Sequence, residues 1–138
     1  QGDPYVWQVA KTAAAVVETL DFSGLDWIVC YQSRVGPMKW IGPSISDELK
    51  RAARDKVPVV VTPIAFVSEH SETLVELDIE YRRLAMRLGV PGYVRVAAVG
   101  VAADFINGLA ELAIEALQRN PNKRNCPPDF AGCFRKVR

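Results

Sequence analysis

Three short apolar runs, at residues 27–31, 57–62 and 93–99, alternate with stretches of helix-forming composition, and that alternation limits what the chain can fold into. The runs are rich in Val, Ile, Trp and Tyr, residues that suit a pleated surface. Near-continuous apolar strands belong to sheets covered on both sides, and strands separated by helices belong to parallel sheets. The expected fold is therefore α/β, a parallel sheet with helices on both faces.

The helices are predicted from their ends. Asp3 and Pro4 suit a cap and a first helical position, opening a helix over residues 5–20. Ser44 or Ser46 caps a second, running to about Lys56, with Asp47 and Glu48 early, and Lys50, Arg51 and Arg54 late, as the helix dipole favours. A third spans about 71–88 and stops at Gly89, and a fourth spans 102–119, weakened by Gly108. Residues 120–138 have turn residues and no period, so the organisation is one domain over 1–119 and a tail that packs loosely or not at all.

A chain of 138 residues is long enough for a single core, and 49% hydrophobic against 24% charged residues excludes disorder. Seventeen basic and sixteen acidic residues leave a net charge of +1, which gives no support to nucleic-acid binding. The basic residues Lys123, Arg124, Arg135, Lys136 and Arg138 cluster near the end and read as a solvated tail. No apolar run approaches bilayer-spanning length. Three cysteines do not form a secreted disulfide framework, so a reducing, cytoplasmic setting is expected. The chain opens on Gln1 and not Met, as a piece of a longer protein would.

Ligands of parallel α/β folds sit beyond the C-terminal ends of the strands. Here those ends carry the loop 32–43 and the segment 66–72. No phosphate-cradling glycine motif is present. The third helix instead carries Glu72, Glu76 and Glu80 at intervals of four, preceded by His70, the single histidine. Arg83 and Arg87 continue the stripe, so a solvated, ion-paired face is one reading. The other is a cleft wall: crowded carboxylates hold and pass protons, and oxygen with imidazole suits a divalent cation such as ferrous iron. Spacing does not choose between them.

The wording of the sequence adds more. Pro63-Ile64-Ala65-Phe66-Val67-Ser68-Glu69-His70-Ser71-Glu72-Thr73-Leu74, continuing Glu76-Leu77-Asp78-Ile79-Glu80-Tyr81, closely resembles the ferrochelatase signature. So does Tyr31-Gln32-Ser33-Arg34-Val35-Gly36-Pro37-Met38-Lys39-Trp40-Ile41-Gly42-Pro43, and Gly2-Asp3-Pro4-Tyr5 resembles the family's turn into a domain-linking helix. The likeness runs in order from Gly2 to about Leu117.

The resemblance implies the second of two Rossmann-like chelatase domains and the insertion of Fe2+ into protoporphyrin IX to form haem. It implies Glu72 and His70 at the catalytic site, with Glu72, Glu76 and Glu80 as the metal-handling row on a helix partly distorted toward a π-helix. Tyr5, Met38 and Trp40 match positions at the porphyrin lip. Iron is a substrate in this chemistry, not a retained cofactor. A missing N-terminal domain of the same protein is the implied partner, together with a membrane surface touched peripherally.

The sequence also departs from the family. The histidine that completes the metal site belongs to a segment upstream of Gln1, so the isolated chain is not expected to metallate porphyrin efficiently. Residues 99–105 lack the polar turn common before the last helix, while Glu111 matches a position that often carries an acid. Some members hold a [2Fe–2S] cluster, which takes four thiolates. Cys126 and Cys133 supply two and Cys30 reads as core, so no cluster is expected. Coproporphyrin or another tetrapyrrole as substrate, and a non-catalytic tetrapyrrole- or metal-binding module, stay open.

Overall fold

The computed structural model of the chain describes residues 3–32 and 41–119, together with Pro127 and Phe130. Helix α1 (Tyr5–Leu20) starts where Asp3 Oδ1 accepts the Tyr5 N–H at 2.9 Å, so the Asp-Pro opening does what its chemistry suggests. It closes at Asp21, which is left-handed at φ 46°. Of its residues only Ala13 is buried.

Helix α2 (Ile45–Asp55) is capped by Ser44, whose Oγ accepts the Asp47 N–H at 3.2 Å. Ile45, Leu49 and Ala52 recur at helical spacing and form its buried stripe. Strand β1 (Val59–Val61) follows, and strand β2 (Tyr93–Arg95) pairs with it in parallel, Val59 with Tyr93, Val60 with Val94 and Val61 with Arg95. A parallel pair needs a long crossover. Here it is a single helical rod, a π-helix (Glu72–Tyr81) that runs directly into α3 (Arg82–Leu88). The rod ends at Gly89, whose φ of 81° is left-handed and suits glycine. Helix α4 (Ala103–Gln118) comes last.

The core lies between the sheet and the α2/π/α3 layer. Ile45, Leu49, Leu77, Ala85 and Tyr93 are buried together, flanked by Cys30, Val59, Val61, Tyr81, Leu84, Leu88 and Val90. Burial pushes the Cys30 thiol up to about 11, helped by the nearby Glu48, so Cys30 is a protonated core thiol as expected. Cys126 and Cys133 lie outside the described residues.

The α/β class and the parallel sheet hold, with two differences. First, residues 27–31 are extended but form no sheet strand. The Tyr31 N–H donates to Pro43 O at 2.9 Å and Tyr31 O accepts the Ile45 N–H at 3.1 Å, a single bridge to Ser44. Trp27 and Ile28 are exposed, so this apolar run lacks the neighbour its composition calls for. Second, among the described residues helices cover one sheet face and not both. Val60 and Val94, adjacent on the other face, are 68% and 57% exposed, and α4 buries none of its residues. Beyond α4, the Phe130 ring lies 4.9 Å from that of Trp7 in α1.

Candidate active site

Three chain segments leave the sheet region at its carboxyl end and meet over the π-helix. The extended run ends at Gln32. The segment after β1 carries Phe66, Glu69 and His70. The segment after β2 closes on it, with the Ala98 N–H donating to Glu69 Oε1 at 2.9 Å and the Gly100 N–H to Val67 O at 2.8 Å. The His70 and Glu72 candidates therefore lie at the end of the sheet where parallel α/β folds place their ligands.

The π-helix begins under a histidine cap. The Glu72 N–H donates to His70 Nδ1 at 3.1 Å, and the His70 N–H donates to Thr73 Oγ1 at 3.0 Å. With Nδ1 accepting, a neutral ring carries its hydrogen on Nε2. The Phe66 ring meets it edge-on at 4.5 Å. Thr73 is fully buried below, so His70 and Glu72 are tied to a fixed floor.

Side-chain donors explain the widened turns. Gln32 Nε2 donates to Glu72 O at 2.7 Å, the Tyr93 hydroxyl to Leu77 O at 2.8 Å, and Arg82 Nε to Asp78 O at 3.0 Å. Three carbonyls of one ten-residue helix thus receive donors that ordinary helix carbonyls do not. Such competition favours a π geometry over a regular α-helix. The expected distortion is present, and it occupies the stretch that carries the acidic row.

The row itself runs outward. Glu72 and Glu76 are half-buried and Glu80 is exposed. Glu76 Oε2 accepts from Gln32 Nε2 at 2.7 Å. Arg83 and Arg87 make no ion pair with Glu80 among the described residues, so the purely electrostatic reading of the stripe lacks its pairs there. Burial, with Glu76 and Glu80 adding negative charge, pushes the Tyr81 phenol up. Among the described residues no three His, Cys, Asp or Glu side chains group closely enough to hold a metal ion. Glu72, Glu76 and Glu80 line one helix without converging on a point.

Away from the row, Asp78 and Arg82 form a separate polar strip, Arg82 Nη2 lying 3.8 Å from Asp78 Oδ1. Arg95 grips Asp78 at two points and reaches Glu69 Oε1 at 2.7 Å. The Thr73 hydroxyl, Arg95 and the Ala98 N–H together hold the Glu69 carboxyl down at about 2, and Arg95 holds Asp78 below the usual carboxylate range. Burial pushes the Tyr93 phenol up to about 12.

Of the other sequence candidates, Tyr5 lies on α1 with its ring 6.4 Å from that of Tyr31, while Met38 and Trp40 lie outside the described residues. Sequence reasoning missed Gln32 and Arg95 as site-building residues. Gln32 stands inside a motif already singled out, but nothing in its spacing shows that it reaches Glu76.

These features define an α/β domain whose parallel sheet presents a carboxylate-and-imidazole row at its carboxyl end. The family model described as Ferrochelatase matches residues 1–117. Curated relatives agree: the chain is 48% identical to a ferrochelatase of Pelagibacter ubique over 139 aligned positions, covering 96% of this chain and 40% of that protein. It is 50% identical to one of Caulobacter vibrioides, with 96% and 40% covered, and 56% identical to one of Phenylobacterium zucineum, with 86% and 34% covered. The chain belongs to the ferrochelatase family. It spans about 40% of the length of those first two relatives. No helix among the described residues is long and apolar enough to cross a membrane.

Proposed function

We propose that this chain supplies the carboxylate side of a ferrochelatase site, inserting Fe2+ into protoporphyrin IX within a longer protein that provides the remaining ligands. The observation that carries the reading is the pair of contacts on Glu72: its N–H on His70 Nδ1 and its carbonyl on the Gln32 amide. Both immobilise the backbone from which that carboxylate projects.

Metallation must remove two pyrrole protons, strip water from the iron and bend the macrocycle. In this reading Glu72 serves as metal contact and proton acceptor, with His70 beside it offering its Nε2 edge. A base fixed in position next to an apolar slot lowers the barrier to proton removal. Glu76 and Glu80, stepping outward along the π-helix, give the cation or the released protons a route to solvent. Tyr5, Met38 and Trp40 would rest against the porphyrin. The setting we infer is cytoplasmic, at a membrane surface, with no iron–sulfur cluster retained by this chain.

The test is anaerobic Fe2+ insertion by the intact protein, comparing wild type with Glu72→Gln, which keeps shape and removes charge. The expected result is a folded variant that binds porphyrin and loses at least about 10²-fold in kcat. Equal turnover by both would make the row a solvated face and end this assignment.

A further inference from the structure

Gln32 is bound to two groups of the acidic helix at once. Its Nε2 lies 2.7 Å from Glu72 O and 2.7 Å from Glu76 Oε2. One of these is a main-chain carbonyl and the other a carboxylate, both pure acceptors. The amide orientation is therefore dictated: the two hydrogens of Nε2 face the helix, and a reversed amide would set lone pairs against lone pairs. The base of the side chain is equally fixed, because the N–H and C=O of neighbouring Tyr31 are taken by Pro43 and Ile45.

The helix has further anchors besides Gln32. Its opposite side is held by the Tyr93 hydroxyl on Leu77 O, by Arg82 on Tyr93 O at 3.0 Å, and by Arg95 on Asp78. What Gln32 adds is the position of a carboxylate relative to the first π turn. We infer that Gln32 is a positioning residue for metal insertion, holding the Glu76 carboxylate in register with Glu72 so that the two keep one separation during turnover. The inference rests on the reading of Glu72 as the metal and proton group. A displacement of about 1 Å in such a constellation can cost on the order of 10²-fold in rate.

The test uses the intact protein with Fe2+ varied at saturating protoporphyrin IX. Gln32→Met keeps length and removes both donors, Gln32→Ala removes length as well, and Glu76→Gln is made alone and with Gln32→Met. Circular dichroism and porphyrin titration check folding and binding. The expected result is that Gln32→Met folds, binds porphyrin as wild type does, and loses about 10- to 100-fold in kcat or in KM for Fe2+. Gln32→Ala should be no worse, and the double variant should lose less than the product of the two single losses. Wild-type kinetics in Gln32→Met would reduce Gln32 to a filler of space, and losses that multiply in the double variant would show that it does not act through Glu76. Either overturns the inference. Glu72→Gln in the same series separates the two ideas: if it is dead while Gln32→Met is normal, only the role of Gln32 falls. If Glu72→Gln is fully active, the site reading falls and takes this inference with it.

Discussion

Arg95 meets Asp78 through two parallel contacts, one from Nε at 2.9 Å and one from a terminal nitrogen, with its guanidinium plane spanning the gap between β2 and the π-helix. Its other terminal nitrogen takes Glu69. One side chain, 8% exposed, thus fastens both the entry and the middle of the helix that carries the acidic row. The fork geometry of arginine matches this task and the point charge of lysine does not. Arg95→Lys and Arg95→Ala should both destabilise the protein, the alanine variant by about 2 kcal/mol, with lysine recovering less than half. A urea titration followed by circular dichroism reads the difference. Equal midpoints for wild type and Arg95→Ala would mean that solvent replaces the clamp without cost.

The same clamp sets an acid response. Glu69 has its carboxyl lowered from 4.5 to about 2 in the fold. A depressed folded value means that the unfolded chain binds more protons in that window, so this stabilisation is complete above about pH 4.5 and is lost as pH falls toward 2. Asp78 shifts in the same direction with Arg95 as its main cause, whereas for Glu69 the Thr73 hydroxyl comes first and Arg95 second. The stability of wild type should therefore fall more steeply between pH 4.5 and 2 than that of Arg95→Gln. Parallel acid-unfolding curves for the two proteins would contradict the assignment.

Tyr93 joins the buried core to a helix carbonyl, its hydroxyl donating to Leu77 O at 2.8 Å. Tyr93→Phe keeps the ring and leaves that carbonyl without its donor, at a cost of about 1–2 kcal/mol. The phenol itself, pushed up to about 12, should stay protonated while ordinary tyrosines ionise. An alkaline spectrophotometric titration of wild type against Tyr93→Phe should differ by one late-titrating group.

Helix positions were legible in the sequence because their ends carry local chemistry. Ser44 caps through its own side chain, Gly89 takes a left-handed turn, and the stripe Ile45, Leu49, Ala52 repeats within one element. The parallel crossover was legible too, since β1 and β2 are separated by a helix too long for a hairpin. What was not legible arises between elements. Gln32 reaches Glu76 across 44 residues and Arg95 reaches Asp78 across 17, and neither separation leaves a periodic trace. The widened winding of residues 72–81 came only through resemblance, because its cause is three side chains aimed at carbonyls, two of them from outside the helical rod 72–88. The run 27–31 has strand composition but takes just one bridge, because composition specifies a need for neighbours and not their presence.

That unmet need yields the last prediction. Val60 and Val94 stand side by side on the uncovered sheet face, 68% and 57% exposed, and Leu112 and Leu117 of α4 are 63% and 89% exposed. Exposed apolar surface on this scale marks a face that another part of a protein covers. The isolated chain should bind a hydrophobic dye strongly and self-associate, whereas the intact protein should do neither. Val60→Lys should make the isolated chain more soluble and the intact protein less stable, by about 1–3 kcal/mol, because the charge would then be buried. Sedimentation of the isolated chain and thermal unfolding of the intact protein read the two arms. If Val60→Lys improved solubility with no loss of stability in the intact protein, that sheet face would be open to solvent there as well, and the cover for this domain would have to lie elsewhere, along α4.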